Sequence, residues 1–378
     1  LTLMTRNLIQ SIVIIVFLGA ISSCELPPTL VKEKVITIVD TTEKIPPPPA
    51  QADSLCIAAV GDIMLGTSYP DNSALSPDSA LNSFKYVEQH LQNADLTFGN
   101  LEGPLLDGGQ PANYKLHLKS KPYFFRMPAK YCGILKNAGF DVLSIANNHI
   151  GDFGQTGRNS TTRALDSCGI HYAGLLEYPA AEFKINGIKY GFCAFAPNSH
   201  TISLLDMNTA INIIGVLKQH CDIVIVSFHG GAEGPEFEHV APGGESYFTE
   251  KRGDLRAFAH TAIDNGADLI LGHGPHVSRA MEIYKNRLVA YSLGNFCTYR
   301  GVSIDGSSGI APLLKVYVNR RGEFLSGNII SVKQSHEKHV EPDTLHRAAK
   351  RVKWLSAVDF PDNKQLLISE TGLLTAVK

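Results

Sequence analysis

From residue 55 onward the chain alternates between short apolar runs and longer stretches with apolar residues at helical spacing. The runs 55–60, 95–98, 141–146, 190–196, 222–228 and 267–271 are predominantly apolar and of strand length, as expected of strands covered on both faces. Between them lie helical patterns at 81–91, 128–138, 155–168, 208–220 and 248–265. The second of these has Pro128 at its start, and Gly139, Gly169 and Gly266 stand just past three helix ends, the usual asymmetry of helix termini. After residue 280 the period changes. Segments 281–284, 288–292, 313–318 and 327–332 read as strands joined by turns at Lys285-Asn286 and Arg320-Arg321-Gly322. The pattern predicts an α/β region of mostly parallel strands followed by antiparallel ones. Beyond residue 336 the chain reads as partly helical (345–355), with Trp354 packing back onto the domain.

The strand ends carry the chemistry. The first apolar run stops at Gly61-Asp62, the second at Gly99-Asn100-Leu101-Glu102, and the third at Asn147-Asn148-His149 with Asp152 close behind. A later run ends at His229-Gly230-Gly231, and the next at Gly272-His273-Gly274-Pro275-His276. In open α/β sheets, sites gather at the carboxyl ends of strands. These residues are therefore expected to meet on one edge. Asp, Glu, Asn and His together form the mixed nitrogen and oxygen donor set of a zinc, manganese or iron site. Asp152 reads either as the residue that orients His149 or as a cap for the next helix. Glu233 reads as a contact to the site or as a solvated loop charge, and Asn295 as a support of the site or a turn residue. Lys115, Lys119, Lys121 and Arg126, interleaved with Tyr and Phe, form a solvated basic face or a docking strip for an acidic polymer. His239, Arg252, His260 and Arg279 show no pattern that sets them apart.

The first residues predict an address. A short basic segment at Arg6, an apolar run over 8–20 and Ile21-Ser22-Ser23-Cys24 resemble a bacterial lipoprotein signal, with Cys24 lipidated. Residues 1–23 are then the signal peptide, the competing reading being an uncleaved N-terminal anchor. Residues 24–54, with Pro46-Pro47-Pro48-Pro49, form a Pro-rich tether. Residues 55–335 form the main domain and 336–378 a partly helical tail packing on it. The expected location is the bacterial cell envelope, membrane-anchored and facing outside the cytoplasm. A formal net charge of −2 gives no bulk electrostatic pull towards nucleic acid, and no nucleic-acid partner is expected. Among the remaining cysteines there is no Cys-x-x-Cys pair, so neither a zinc ribbon nor a disulfide pairing follows. Cys56, Cys193 and Cys297 lie in apolar runs and read as buried free thiols.

Five motifs in order carry a resemblance: Gly61-Asp62-Ile63-Met64-Leu65-Gly66, Asn100-Leu101-Glu102-Gly103-Pro104, Ala146-Asn147-Asn148-His149 with Asp152-Phe153-Gly154, Gly272-His273-Gly274-Pro275-His276-Val277, and Tyr291-Ser292-Leu293-Gly294-Asn295-Phe296. Over residues 55–332 the chain resembles the bacterial CapA capsule-synthesis family, associated with poly-γ-glutamate and belonging to the metallo-dependent phosphatase superfamily. The resemblance implies a four-layer α/β/β/α sandwich with mixed sheets and a metal centre at the strand ends. By similarity to calcineurin-like phosphoesterases, Asp62 would be a first ligand, Glu102 a bridging carboxylate and Asn148 an amide ligand. His149 would act as acid or base over the substrate. His229 and His273 would ligate one metal, and His276 the other.

Two positions depart from that pattern. Met64 stands where a phosphoesterase has a His ligand, and the last pair is spaced His-x-x-His instead of His-x-His. The expectation is one tight divalent ion (Zn, Mn or Fe) with a second, weaker site. The function implied is synthesis, export or attachment of an extracellular polyanion such as poly-γ-glutamate. The chain has no Walker-type phosphate loop, so polymerisation would need membrane synthase partners. The competing readings are a metal-dependent hydrolase of phosphoesters or peptides, and a non-catalytic scaffold of a membrane synthase complex.

Overall fold

The computed structural model describes residues 54–116, 123–335 and 339–377, all within the compact unit Pro47–Lys378. The predicted signal peptide, nearly all of the tether, and Lys119 and Lys121 lie outside the described residues. Two sheets face each other. The first has ten strands, and its central run is Ile310–Asn319, Ser54–Met64, Leu96–Leu101, Val142–Ser144, His171–Ala173. From Ser54–Met64 to His171–Ala173 the pairing is parallel, while Ile310–Asn319 and Phe324–Ser335 continue it antiparallel. The second sheet has six strands, in the order Met281–Tyr284, Arg287–Ala290, Leu269–His273, Ile223–His229, Ile188–Phe195, Ala180–Ile185.

Side chains alternate across each strand, and the alternation builds the layers. Ile57, Ala59, Phe98 and Val142 of the first sheet meet Phe192, Ile225, Leu269 and Leu271 of the second in one core between the sheets. On the outer face of the first sheet, Val60 and Leu143 pack with Leu91, Tyr131, Leu135 and Leu165 from helices. On the outer face of the second, Val224, Val226 and Ile270 pack with Ile214, Leu217, Phe258 and Ala262. The result is a four-layer α/β/β/α sandwich, and the strand runs are predominantly apolar because both faces are covered.

Several elements differ from the pattern reading, each for a local reason. The helix expected at 81–91 is reduced to Glu88–Gln92. The preceding turns are held by Asp78, whose carboxylate accepts from the backbone N–H of Ala80 (3.0 Å) and Asn82 (3.1 Å). Such local side-chain bonds compete with helix formation. The helix expected at 248–265 spans only Leu255–Asp264, with Asp254 accepting from Ala257 N–H at 2.9 Å as its cap. Residues 245–253 form a two-stranded hairpin instead. The tail beyond 335 is more than a packed helix. Besides Arg347–Asp359, it supplies the strands His339–Pro342, Leu366–Ile368 and Leu373–Ala376 to the large sheet. Trp354 remains 46 % exposed, edge-on to His239 and beside Arg351. Cys56, Cys132, Cys168, Cys193, Cys221 and Cys297 are all free thiols. Among the described residues no helix is long and apolar enough to cross a membrane.

The tail also closes over a buried acid. Glu282 accepts from Tyr291 Oη (2.7 Å) and Asn363 Nδ2 (3.2 Å) and lies 2.7 Å from His260 Nε2. Burial, the largest influence, opposes its charge, but His260 and Tyr291 outweigh it and hold the carboxyl below its ordinary value. A depressed folded pKa contributes stability above the unfolded value, about 4.3, and that contribution is lost as pH falls through the folded value. Glu282→Gln is therefore expected to flatten the stability profile below about pH 4.5. Urea midpoints measured across the acid range test this, and parallel curves for variant and wild type would contradict it.

Candidate metal centre

The polar strand ends lie on one edge because parallel strands present their carboxyl ends together. Asp62 pairs in register with Asn100 and with Asn295 on its two sides, and His273 pairs with His229. The first strand has a register break between Ala59 and Asp62, a bulge of the kind that re-aims a side chain. Gly61 permits it: a Cβ there would stand 1.9 Å from the Gly294 carbonyl oxygen, which accepts from Asp62 N–H at 2.8 Å. The His229 and His273 loops cross backbone to backbone, with Gly230 N–H donating to the His273 carbonyl at 2.8 Å.

At the centre, Asn100 Nδ2 donates both to Asp62 Oδ1 (2.8 Å) and to Glu102 Oε2 (2.7 Å). This bridging amide holds two fully buried carboxylates side by side. Asn100 lies in the strand Leu96–Leu101 and Glu102 just past its end, which brings the amide within reach of that carboxylate. His229 Nδ1 lies 3.6 Å from Glu102 Oε2, and His273 Nδ1 lies 3.5 Å from Asp62 Oδ1; both are too long for a good hydrogen bond. Both ring nitrogens of His229, both of His273, Glu102 Oε1 and Asn148 Oδ1 are buried with no hydrogen-bond partner. Buried polar atoms are nearly always partnered, and each orphan costs about 1–3 kcal/mol. The orphans are all of metal-donor type, and with His229 beside Glu102 and His273 beside Asp62 they fit a divalent cation held among them. Among the described residues no group of three or more His, Cys, Asp or Glu side chains is placed so as to hold a metal ion as it stands; the fit rests on the unpaired donors and their chemistry.

Charge follows burial and neighbours. Burial, and then the charge of Asp62, push Glu102 up to about 8. Asp62 moves the other way. Burial opposes its ionisation, but His273 and His276 outweigh it and hold the carboxyl well below the usual range. His276, 2.9 Å from Asp62 through Nδ1 and 3.1 Å from Asn295 Oδ1, is raised to about 10 because that carboxylate outweighs burial. His276 thus faces Asp62 as an ion-pair partner, and Asn295 supports it. Burial drives His229 well below its ordinary value, keeping the imidazole neutral, the form that binds metals. Met64 is buried, its methyl carbon 3.2 Å from where a Cβ on Gly301 would stand, and it leaves the His position of the phosphoesterase pattern without a nitrogen.

The two asparagines have separate roles. Asn147 Oδ1 accepts from His149 N–H (3.1 Å) and Ile150 N–H (2.9 Å), and its Nδ2 donates to the Leu101 carbonyl at 2.8 Å. It braces the loop, while Asn148 keeps a free amide oxygen. His149 Nδ1 lies 2.9 Å from Asp152 Oδ2, and its ring stacks on Phe125 at 3.9 Å between centroids. Burial, partly offset by Asp152, lowers its pKa, and the Asp152 contact leaves Nε2 as the nitrogen able to take a proton. Asp152 also accepts from Phe125 N–H (2.8 Å) and pairs with Lys115, whose Nζ donates to the Asn148 carbonyl at 2.7 Å. The next helix, Gly154–Cys168, has no side-chain cap, so Asp152 orients His149. Sequence reasoning passed over the bridging role of Asn100, and it read Lys115 only as part of a basic strip; the i, i+2 spacing to Glu102 was the signal for the first.

Known proteins resemble this chain over about two thirds of its length. The capsule biosynthesis protein CapA of Bacillus anthracis is 29 % identical over 293 residues, covering 70 % of this chain and 65 % of that protein. The PGA biosynthesis protein CapA of Bacillus subtilis (strain 168) is 30 % identical over 267 residues, covering 66 % of this chain and 64 % of that protein. The chain thus spans slightly less than two thirds of the length of these curated relatives. A crystal structure of a hypothetical protein from Thermus thermophilus aligns with a TM-score of 0.45 at 14 % identity, over 74 % of this chain and 100 % of that one. The family described as bacterial capsule synthesis protein PGA_cap matches residues 56–300. That span contains Asp62, Asn100, Glu102, Asn148, His229, His273 and His276, and on it the chain belongs to the bacterial capsule synthesis family.

Proposed function

We propose that this protein acts at the cell envelope, tethered through lipidated Cys24, in the synthesis, export or attachment of an extracellular polyanion of the poly-γ-glutamate type. The observation that carries the reading is the group of buried, unpartnered donors on Glu102, Asn148, His229 and His273, within a chain of the capsule synthesis family. Asp62, Glu102, Asn148, His229 and His273 would hold one divalent ion, and His276, once it gives up its proton, would reach a second, weaker one through Nε2. Zinc, manganese and iron suit such a donor set. When bound, the ion supplies Lewis-acid polarisation of an amide, carboxylate or phosphoryl oxygen, or a more acidic water.

The chain's own residues do the rest. Asn100 keeps the two carboxylates together, Asn147 fixes the loop, and Lys115 with Asp152 orients the His149 ring. His149 Nε2 accepts or returns the proton. Energy for polymerisation would come from a membrane synthase partner. The test uses the full chain purified in mild detergent and a deletion strain of the host. Elemental analysis is expected to find a divalent transition metal at about one per chain, and deletion to reduce surface polyglutamate. A metal-free protein, or unchanged polymer in the deletion strain, would overturn the reading.

A further inference from the structure

Two cysteines far apart in sequence meet on the outer face of the large sheet. Cys132 lies in the first turn of the helix Tyr131–Ala138, and Cys168 is the last residue of the helix Gly154–Cys168. Both belong to the apolar cluster that these helices form with the sheet, Cys132 at 2 % exposure and Cys168 only partly buried. Both are free thiols in this structure.

Their meeting follows from helix geometry. The Cys132 thiol donates to the Ala164 carbonyl at 3.1 Å. Ala164 stands one turn before Cys168, and a helical side chain leans back over the turn that precedes it. The contact therefore delivers Cys132 to the place where the Cys168 side chain lies, and the two thiols are in side-chain contact. Lys136, on the helix of Cys132, donates through Nζ to the Gly169 carbonyl at 3.3 Å, which ties the same two helices at the same end.

We propose that Cys132 and Cys168 close to a disulfide once the chain is outside the cytoplasm, joining the helix Tyr131–Ala138 to the end of the helix Gly154–Cys168. The ring so formed encloses residues 133–167, and with them Asn147, Asn148, His149 and Asp152. A crosslink there restricts the unfolded chain over the segment that builds the loop of the metal centre. The bridge rests on the envelope placement given above, because oxidising compartments are where disulfides persist.

The oxidant is a disulfide, either a small one such as oxidised glutathione or that of a dithiol oxidase. Cys168, the accessible member, attacks it as thiolate and displaces one thiolate of the oxidant. Cys132 then attacks Cys168 Sγ and displaces the other. Two protons leave the protein thiols, and two electrons pass to the oxidant, whose disulfide becomes two thiols. Burial, and then Cys168 itself, raise the Cys132 thiol above its ordinary value, while Lys136 works the other way. Cys132 is thus the slower, resolving partner.

The test starts from the full chain, its thiols trapped by alkylation as host membranes are dissolved in mild detergent, then digested with and without reductant. A peptide pair linked through Cys132 and Cys168 is expected, with Cys56, Cys193, Cys221 and Cys297 alkylated after denaturation. In parallel, the reduced full chain is equilibrated in a series of oxidised and reduced glutathione. Closure is expected at oxidising ratios, and the bridged form is expected to melt roughly 5 °C above the reduced one. Cys132→Ser should stop at a glutathione adduct on Cys168, and Cys168→Ser should leave the buried Cys132 unmodified. The wild-type chain alone carries the test if either variant fails to fold. A pair that stays reduced throughout the glutathione series, or a bridge from either residue to another cysteine, overturns the pairing. A pair that closes in glutathione yet is isolated reduced from the membranes overturns the envelope placement and leaves the pairing standing.

Discussion

His149→Ala is expected to keep bound metal and melting temperature close to wild type while cutting activity by roughly 10²-fold or more. The ring is held from three directions. Asp152 takes Nδ1, Phe125 covers one face, and its own backbone N–H is tied to Asn147 Oδ1. None of these contacts involves Glu102, His229 or His273, so removing the ring should leave the donor cluster in place. What is lost is the one nitrogen, Nε2, positioned to exchange a proton. Asp152→Asn should give a loss of similar kind, because an amide can present its N–H to Nδ1 and invert the tautomer. Lys115→Met should be milder, since Phe125 N–H still holds Asp152. Surface polymer in a deletion strain carrying each variant, with elemental analysis of the purified proteins, separates the roles. Full complementation by His149→Ala would remove His149 from the mechanism, and loss of metal in that variant would make it part of the binding site.

The double substitution His229→Leu with His273→Leu should abolish stoichiometric metal yet melt higher than wild type in the presence of a chelator. The reason is the cost of the site itself. Each imidazole is fully buried with both nitrogens unpartnered, and an orphaned buried polar group costs about 1–3 kcal/mol. Leucine removes the orphan and fills similar space, so the chelated comparison should favour the variant by about a few kcal/mol, less repacking strain. With metal present the order should reverse, because a ligand bound only by the native state stabilises it in proportion to the logarithm of its excess over Kd. Melting curves with chelator and with added zinc or manganese measure both halves. A double variant less stable than wild type under chelation would mean that the two histidines are satisfied structural residues, contrary to the reading of the centre.

The sequence alone determined the alternation of strands and helices and the strand ends that carry the chemistry, while the four layers followed only from the family resemblance. The stretch 223–226 is apolar at every position because both faces of its strand are covered, and that is a local, countable property. Polar residues at each run's end follow from the same logic, so Asp62, Glu102, Asn148, His229 and His273 could be placed on one edge without coordinates. The tertiary structure decided what each of them does. Asp62 meets His276 across 214 residues of sequence, and only the bulge beside Gly61 and the close approach of Gly294 aim it there. Asn147 and Asn148 are neighbours of one type, yet one braces the loop and the other keeps a free oxygen, a difference set by the Leu101 carbonyl on another strand. The turns held by Asp78 and the hairpin that carries Arg252 replaced expected helices because side-chain caps and strand partners overrode spacing. Periodicity reports which face of an element is buried; which atom meets which depends on contacts between segments far apart in the chain, and those exist only once the sheets have packed.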